Sequence, residues 1–110
     1  MKQSNPLIWQ PQPAQNLSRA LAAIGDVASM QNFLRDVLTE AEITEISARF
    51  EAARLLQEGA RYATIINQTK LSSRTVARIS DWLKNGCGGY QIALTLVHHH
   101  PLTPAGKSLD

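Results

Sequence analysis

Apolar residues recur along this chain at the three- and four-residue spacing of helices. Leu17, Ala20, Leu21 and Ile24 share one helical face and predict a helix from about Gln15 to Ile24. Gly25-Asp26 interrupts it. Val27, Met30, Phe33, Leu34, Val37 and Leu38 resume the same spacing and predict a second helix, or the same one continued after a kink, ending at Leu38. The sharpest local signal follows. Thr39 and Glu42 stand as the N-cap and N3 residues of a capping box, with Leu38 and Ile43 placed as its hydrophobic staple. Glu40 and Glu42 suit the positive end of the helix so started. That helix is expected to run to Glu58, where Gly59 supplies a left-handed stop. Its expected buried stripe is Ile43, Ile46, Phe50, Ala53 and Leu56 or Gln57.

Residues 61–83, RYATIINQTKLSSRTVARISDWL, read as two short helices across a tight turn. The first spans about Tyr62 to Thr69. The turn is Thr69-Lys70-Leu71-Ser72, and Ser72 or Ser73 caps the second helix. With Lys70 at the turn, Ile65, Leu71, Val76 and Ile79 fall where two helices must pack. That is the pattern of a helix-turn-helix. Lys70 stands where glycine is usual, at a cost of about 1 kcal/mol for a left-handed backbone. The glycines of Asn85 to Tyr90 stop the second helix. Gln91 to Val97 are compatible with one or two helical turns or with an extended segment. Pro6, Pro11 and Pro13 mark residues 1–14 as an arm rather than a helix, with Leu7, Ile8 and Trp9 suited to docking on a partner subunit. The domain is expected over residues 15–97, with its reading head at 61–84, and residues 98–110 form a loose tail.

Composition narrows the function classes. A chain of 110 residues suggests one domain. Cys87 is the single cysteine, which excludes an internal disulfide and a multi-cysteine zinc site. No apolar run reaches ~18 residues, so no transmembrane helix is expected. The N-terminus lacks a signal-peptide apolar core, and a reduced, cytoplasmic setting is the expectation. Cys87 has no histidine near it in sequence to act as a base, and consecutive His98, His99 and His100 cannot all face one ion from a regular helix. No catalytic or metal site is therefore expected. Net charge is only +2, but its distribution is uneven. Glutamates dominate from Glu40 to Glu58, whereas Arg61, Lys70, Arg74, Arg78 and Lys84 stand against Asp81 alone. Basic charge gathered in one segment is the footprint of polyanion binding.

The second helix of the motif carries the candidate chemistry. Recognition helices touch base edges from their first turn, and arginine pairs bidentately with guanine. Ser72, Ser73, Arg74 and Ala77 are assigned to bases; Arg61, Tyr62, Lys70 and Lys84 are assigned to the DNA backbone, whose contacts position without specifying. These residues predict a sequence-specific DNA-binding transcription regulator that reads the major groove of double-stranded DNA. A helical protein-protein interaction module is the alternative, since many helical hairpins pack this way without DNA.

Four stretches together resemble a known family: VLTEAEI (Val37 to Ile43), ISARFEAARLLQEG (Ile46 to Gly59), LSSRTVARISDWL (Leu71 to Leu83) and the GGY at Gly88 to Tyr90. Over roughly Phe33 to Tyr90 the chain resembles the Trp repressor superfamily, and more closely its Trp-repressor-like YerC/YecD family. The resemblance implies an all-α fold, an intertwined homodimer, and repression. It also implies a ligand pocket for a tryptophan-like co-repressor, at Thr39, Arg49, Thr75 and Arg78. Ile79 and Trp82 stand where the Trp repressor has a glycine and a serine beside that ligand. Side chains filling that space favour DNA binding without a cofactor.

Overall fold

The computed structural model describes residues 5–99, and every regular element among them is helical. A 3-10 turn, Pro6–Trp9, precedes six α-helices: α1 (Gln12–Ala23), α2 (Val27–Val37), α3 (Glu40–Gln57), α4 (Tyr62–Thr69), α5 (Ser73–Asn85) and α6 (Gly89–His99). The fold class expected from sequence, all-α, holds. No helix among the described residues is long and apolar enough to cross a membrane. The chain divides into two compact units between Ser47 and Ala48, within α3.

In the first unit, the prolines do not prevent helix formation. Asn5 Oδ1 accepts the Leu7 N–H at 3.0 Å and starts the 3-10 turn. Pro11 is the N-cap of α1 and Pro13 lies in its first turn. Helices tolerate proline there, because first-turn N–H groups have no intrahelical acceptor to lose. The expectation of an irregular arm is thus corrected: α1 begins at Gln12, and Gln15 Nε2 reaches back to the Gln10 carbonyl at 2.9 Å. Asp26 caps α2 by accepting the Ser29 N–H at 2.8 Å, which holds its carboxyl below the usual aspartate range. The capping box forms as its spacing predicts. Thr39 N–H donates to Glu42 Oε1 at 2.9 Å, and Glu42 N–H donates to Thr39 Oγ1 at 3.1 Å. Arg35 ties the α2 end to this start, donating to the Leu38 carbonyl and pairing with Glu40 at 3.2 Å. No residue of α1 or α2 is buried.

The second unit holds the core. Ala52, Ala53, Leu55, Ile65, Leu71, Val76, Ile79 and Leu94 form one buried cluster, with Phe50, Leu56, Trp82, Leu83 and Tyr90 packed against it. The expected α3 stripe is only partly this core. Ala53 is buried, Phe50 and Leu56 are half-buried, and Ile46 is 53% exposed. Ala52 and Leu55 join the core instead, because the cluster begins in the second half of the helix, where small alanines admit close packing. Helix α3 ends in a Schellman motif: Gly59, at φ +84°, donates to the Leu56 carbonyl and Ala60 donates to Leu55, each at 3.0 Å. Arg54 bridges Glu51 and Glu58 on the outer face of this end. Helix α6 resolves the open alternative for residues 91–97: they belong to a helix that starts at Gly89, and its backbone continues to His99. The remainder of the expected tail, residues 100–110, lies outside the described residues.

Candidate nucleic-acid interface

Helices α4 and α5 pack on each other through the four residues that the motif requires. Ile65, Val76 and Ile79 are wholly buried and Leu71 nearly so. Between the helices, Lys70 adopts a left-handed backbone (φ 63°, ψ 14°), and its N–H closes α4 on the Ile66 carbonyl at 2.9 Å. Among the described residues it is the one non-glycine with positive φ. A hydroxyl brace spans this turn. Thr69 Oγ1 donates to the Ile65 carbonyl at 2.7 Å and accepts the Leu71 N–H at 3.3 Å. Sequence reasoning placed Thr69 in the turn but gave it no role. Its signal was available, since a threonine at a helix C-terminus can bond both the preceding turn and the chain beyond.

Ser72, not Ser73, is the cap of α5. Its Oγ accepts the Thr75 N–H at 3.1 Å and donates to Thr75 Oγ1 at 3.1 Å. Ser73 and Arg74 therefore become the first two residues of α5, both exposed. Ala77, one turn further, is exposed as well. Arg61, Tyr62, Lys70 and Lys84 are exposed around the same two helices. All eight residues assigned to DNA thus lie at the surface of the α4–α5 unit. Among the described residues, Arg61, Lys70, Arg74 and Lys84 have no carboxylate within ion-pair distance, in contrast to Arg35 and Arg54.

The C-terminal end of α5 is set by Gly86. Its N–H donates to the Trp82 carbonyl at 2.9 Å, and a Cβ added there would lie 2.5 Å from that same oxygen. Gln91 Nε2 then ties α6 to α5 by donating to the Leu83 carbonyl at 2.8 Å.

The four residues assigned to a ligand pocket fall in different surroundings. Thr39 is in the first unit, inside its capping box. Arg49 lines a cavity of about 510 Å³ with Phe50, Trp82, Tyr90 and Ala93. Thr75 and Arg78 are not in its wall. Burial pushes the Tyr90 hydroxyl above its ordinary value, against the charge of Arg49. Thr75 is half-buried in the α5 cap, and Arg78 is exposed. Trp82 is half-buried against the core.

Comparison with known proteins gives these elements a lineage. The family described as Trp repressor protein matches residues 12–97, which includes all six helices but the last two residues of α6. The uncharacterized protein YerC of Bacillus subtilis (strain 168) is 32% identical over 81 residues, covering 74% of this chain and 78% of that protein. A crystal structure of a TrpR-like protein from Eubacterium eligens superposes with a TM-score of 0.76 at 30% identity, covering 82% of this chain and 93% of that one. Match length, helix order and fold agree: the chain belongs to the Trp repressor family, in its Trp-repressor-like YerC branch.

Proposed function

We propose that this protein is a homodimeric, sequence-specific DNA-binding repressor that reads the major groove with α5. The observation that carries the reading is the set of five exposed cations on the α4–α5 unit, Arg61, Lys70, Arg74, Arg78 and Lys84, which pair with no carboxylate among the described residues. Elsewhere, Arg35 and Arg54 are paired with glutamates, while Arg19 in α1 is a single exposed cation without such a pair among the described residues. An unpaired cation is available to a phosphate without first breaking an internal bridge. Dimerisation is supported by large apolar side chains that the single chain leaves exposed, among them Leu17, Val27, Val37 and Ile46 in α1 to α3 and Ile92 and Leu96 in α6. Two reading heads would address successive major grooves and a near-palindromic site.

No co-repressor is part of this reading. The hydroxyl of Thr75 is engaged by Ser72, and the Trp82 indole packs against the core beside Arg49. Fluorescence anisotropy with duplex DNA tests the main claim. Affinity should fall with salt along a log–log slope of about −3 per subunit if Arg61, Lys70 and Lys84 each meet a phosphate. No binding to any of a pool of random duplexes at low salt refutes it. Titration calorimetry with tryptophan should give no binding heat; a saturable signal at one site per subunit, accompanied by tighter DNA binding, refutes the ligand-independent part.

A further inference from the structure

The α4–α5 turn holds four hydroxyl side chains within seven residues, Thr69, Ser72, Ser73 and Thr75, and their hydrogen bonds divide them sharply. A hydroxyl has one proton to donate. Thr69 gives its proton to the Ile65 carbonyl, and Ser72 gives its own to Thr75 Oγ1. Each also accepts a backbone N–H, from Leu71 and Thr75 respectively. Thr75 is half-buried and receives the Ser72 proton. Ser73 differs from all three. It is exposed, and among the described residues its hydroxyl forms no hydrogen bond. Its neighbours on the outer face are Arg74 and, one helical turn on, Ala77, both exposed. Ala77 offers no hydrogen bond and Arg78 follows Arg74 one turn on, so this face presents two guanidiniums and one uncommitted hydroxyl.

We propose that Ser73 is the specificity-determining hydroxyl of the reading helix, bonding a base edge beside the one read by Arg74, while Ser72 acts only as a positioning residue. This rests on the DNA-binding reading. Ser73 can donate to or accept from a base, since neither its proton nor its lone pairs are committed. Ser72 can give its proton to DNA only by releasing Thr75 Oγ1, while its oxygen stays committed to the Thr75 N–H that sets the start of α5. Losing Ser73 should therefore change which sequences bind. Losing Ser72 should change how well all of them bind.

The test is selection from random duplex DNA with the full chain and its Ser73→Ala, Ser72→Ala and Ser72→Thr variants, followed by anisotropy on the enriched sequences and circular dichroism to verify folding. Wild type should enrich a motif. Ser73→Ala should lose roughly three- to tenfold preference at one base-pair position, the worth of one hydrogen bond, with an unchanged melting curve. Ser72→Ala should weaken every enriched sequence alike and keep the motif, and Ser72→Thr should restore affinity. The proposal is overturned if folded Ser73→Ala keeps the wild-type motif and affinities. It is equally overturned if Ser73→Ala weakens all sequences alike, as a phosphate contact would, or if folded Ser72→Ala alters the motif. In these cases wild type still selects a motif and the DNA-binding reading stands. If wild type enriches nothing, that reading falls and this inference with it.

Discussion

Lys70 combines a backbone cost with a charge that faces solvent, and two substitutions separate them. Its φ of 63° and ψ of 14° are left-handed, where an L-residue is disfavoured by roughly 1–2 kcal/mol. Glycine removes that cost but adds about 0.5–1 kcal/mol of backbone entropy to the unfolded chain. Lys70→Gly should therefore stabilise the protein by about 0.5–1 kcal/mol, or about 2–8 °C in melting temperature for a domain of this size. Lys70→Ala keeps the strained backbone and loses the same charge, so its stability should stay within ~0.5 kcal/mol of wild type. Urea denaturation followed by circular dichroism, at one protein concentration for all three proteins, measures both changes. DNA binding should respond in the opposite grouping. If Lys70 meets a phosphate as proposed, both variants lose that contact and should show a salt slope shallower by about 1 per subunit. A glycine variant no more stable than the alanine variant would refute the strain argument. Unchanged salt slopes in both would remove Lys70 from the DNA contacts.

Four other perturbations follow from the same geometry. Gly86→Ala would place a Cβ 2.5 Å from the Trp82 carbonyl, so the end of α5 must shift; a loss of about 2 kcal/mol or more is expected in urea denaturation. Ile65→Ala empties a wholly buried site at the α4–α5 contact and should cost about 2–5 kcal/mol by the same measurement, with DNA binding lost in proportion to unfolding. The Glu51 carboxyl is held below its ordinary value of 4.5 by the Arg54 hydrogen bond, opposed by partial burial and aided by the Arg54 charge. A depressed folded value stabilises at neutral pH and the gain is lost as pH falls below 4.5 through that folded value, so Glu51→Gln should cost about 0.5 kcal/mol at neutral pH and progressively less in acid. If the exposed apolar faces of α1, α2 and α6 meet a second copy, the melting temperature should rise with protein concentration; a constant midpoint over a hundredfold range, with a monomer in sedimentation, refutes the dimer.

The parts of the structure that were legible in the sequence are those where one residue type answers one local need. Thr39 and Glu42 form the capping box that their spacing predicts, because each group's partner lies three residues away. Gly59 ends α3 for an equally local reason, its positive φ. The four packing positions of the α4–α5 unit were legible because a short turn leaves two helices few ways to meet. Local pattern also misled at the prolines. Pro6, Pro11 and Pro13 suggested an irregular arm, yet proline excludes itself from helix interiors and not from first turns, which is where Pro13 lies.

The expected stripe of α3 went astray for a different reason, and it bears on function. Helical spacing shows that an apolar face must be covered; it does not say by which part of which chain. Ile46 satisfies the spacing as well as Ala53 does, but Ala53 is wholly buried in the single chain and Ile46 is 53% exposed. The core accounts for residues from Ala52 to Leu94 and leaves the apolar residues of α1 and α2 without a buried member. Of the apolar pattern read from residues 17–46, Leu21, Ile24, Met30, Phe33, Leu34, Leu38 and Ile43 are half-buried in the single chain, while Leu17, Val27, Val37 and Ile46 stay exposed. Under the proposed dimer the exposed part of this pattern records the partner's coverage, whereas the pattern at residues 65–79 records the chain's own fold. The reading head can accordingly be well packed within each chain while its placement against DNA is set between chains. That separation is what a protein needs if Ser73 and Arg74 are to be held rigidly on α5 and two copies of α5 are to be spaced by an interface elsewhere.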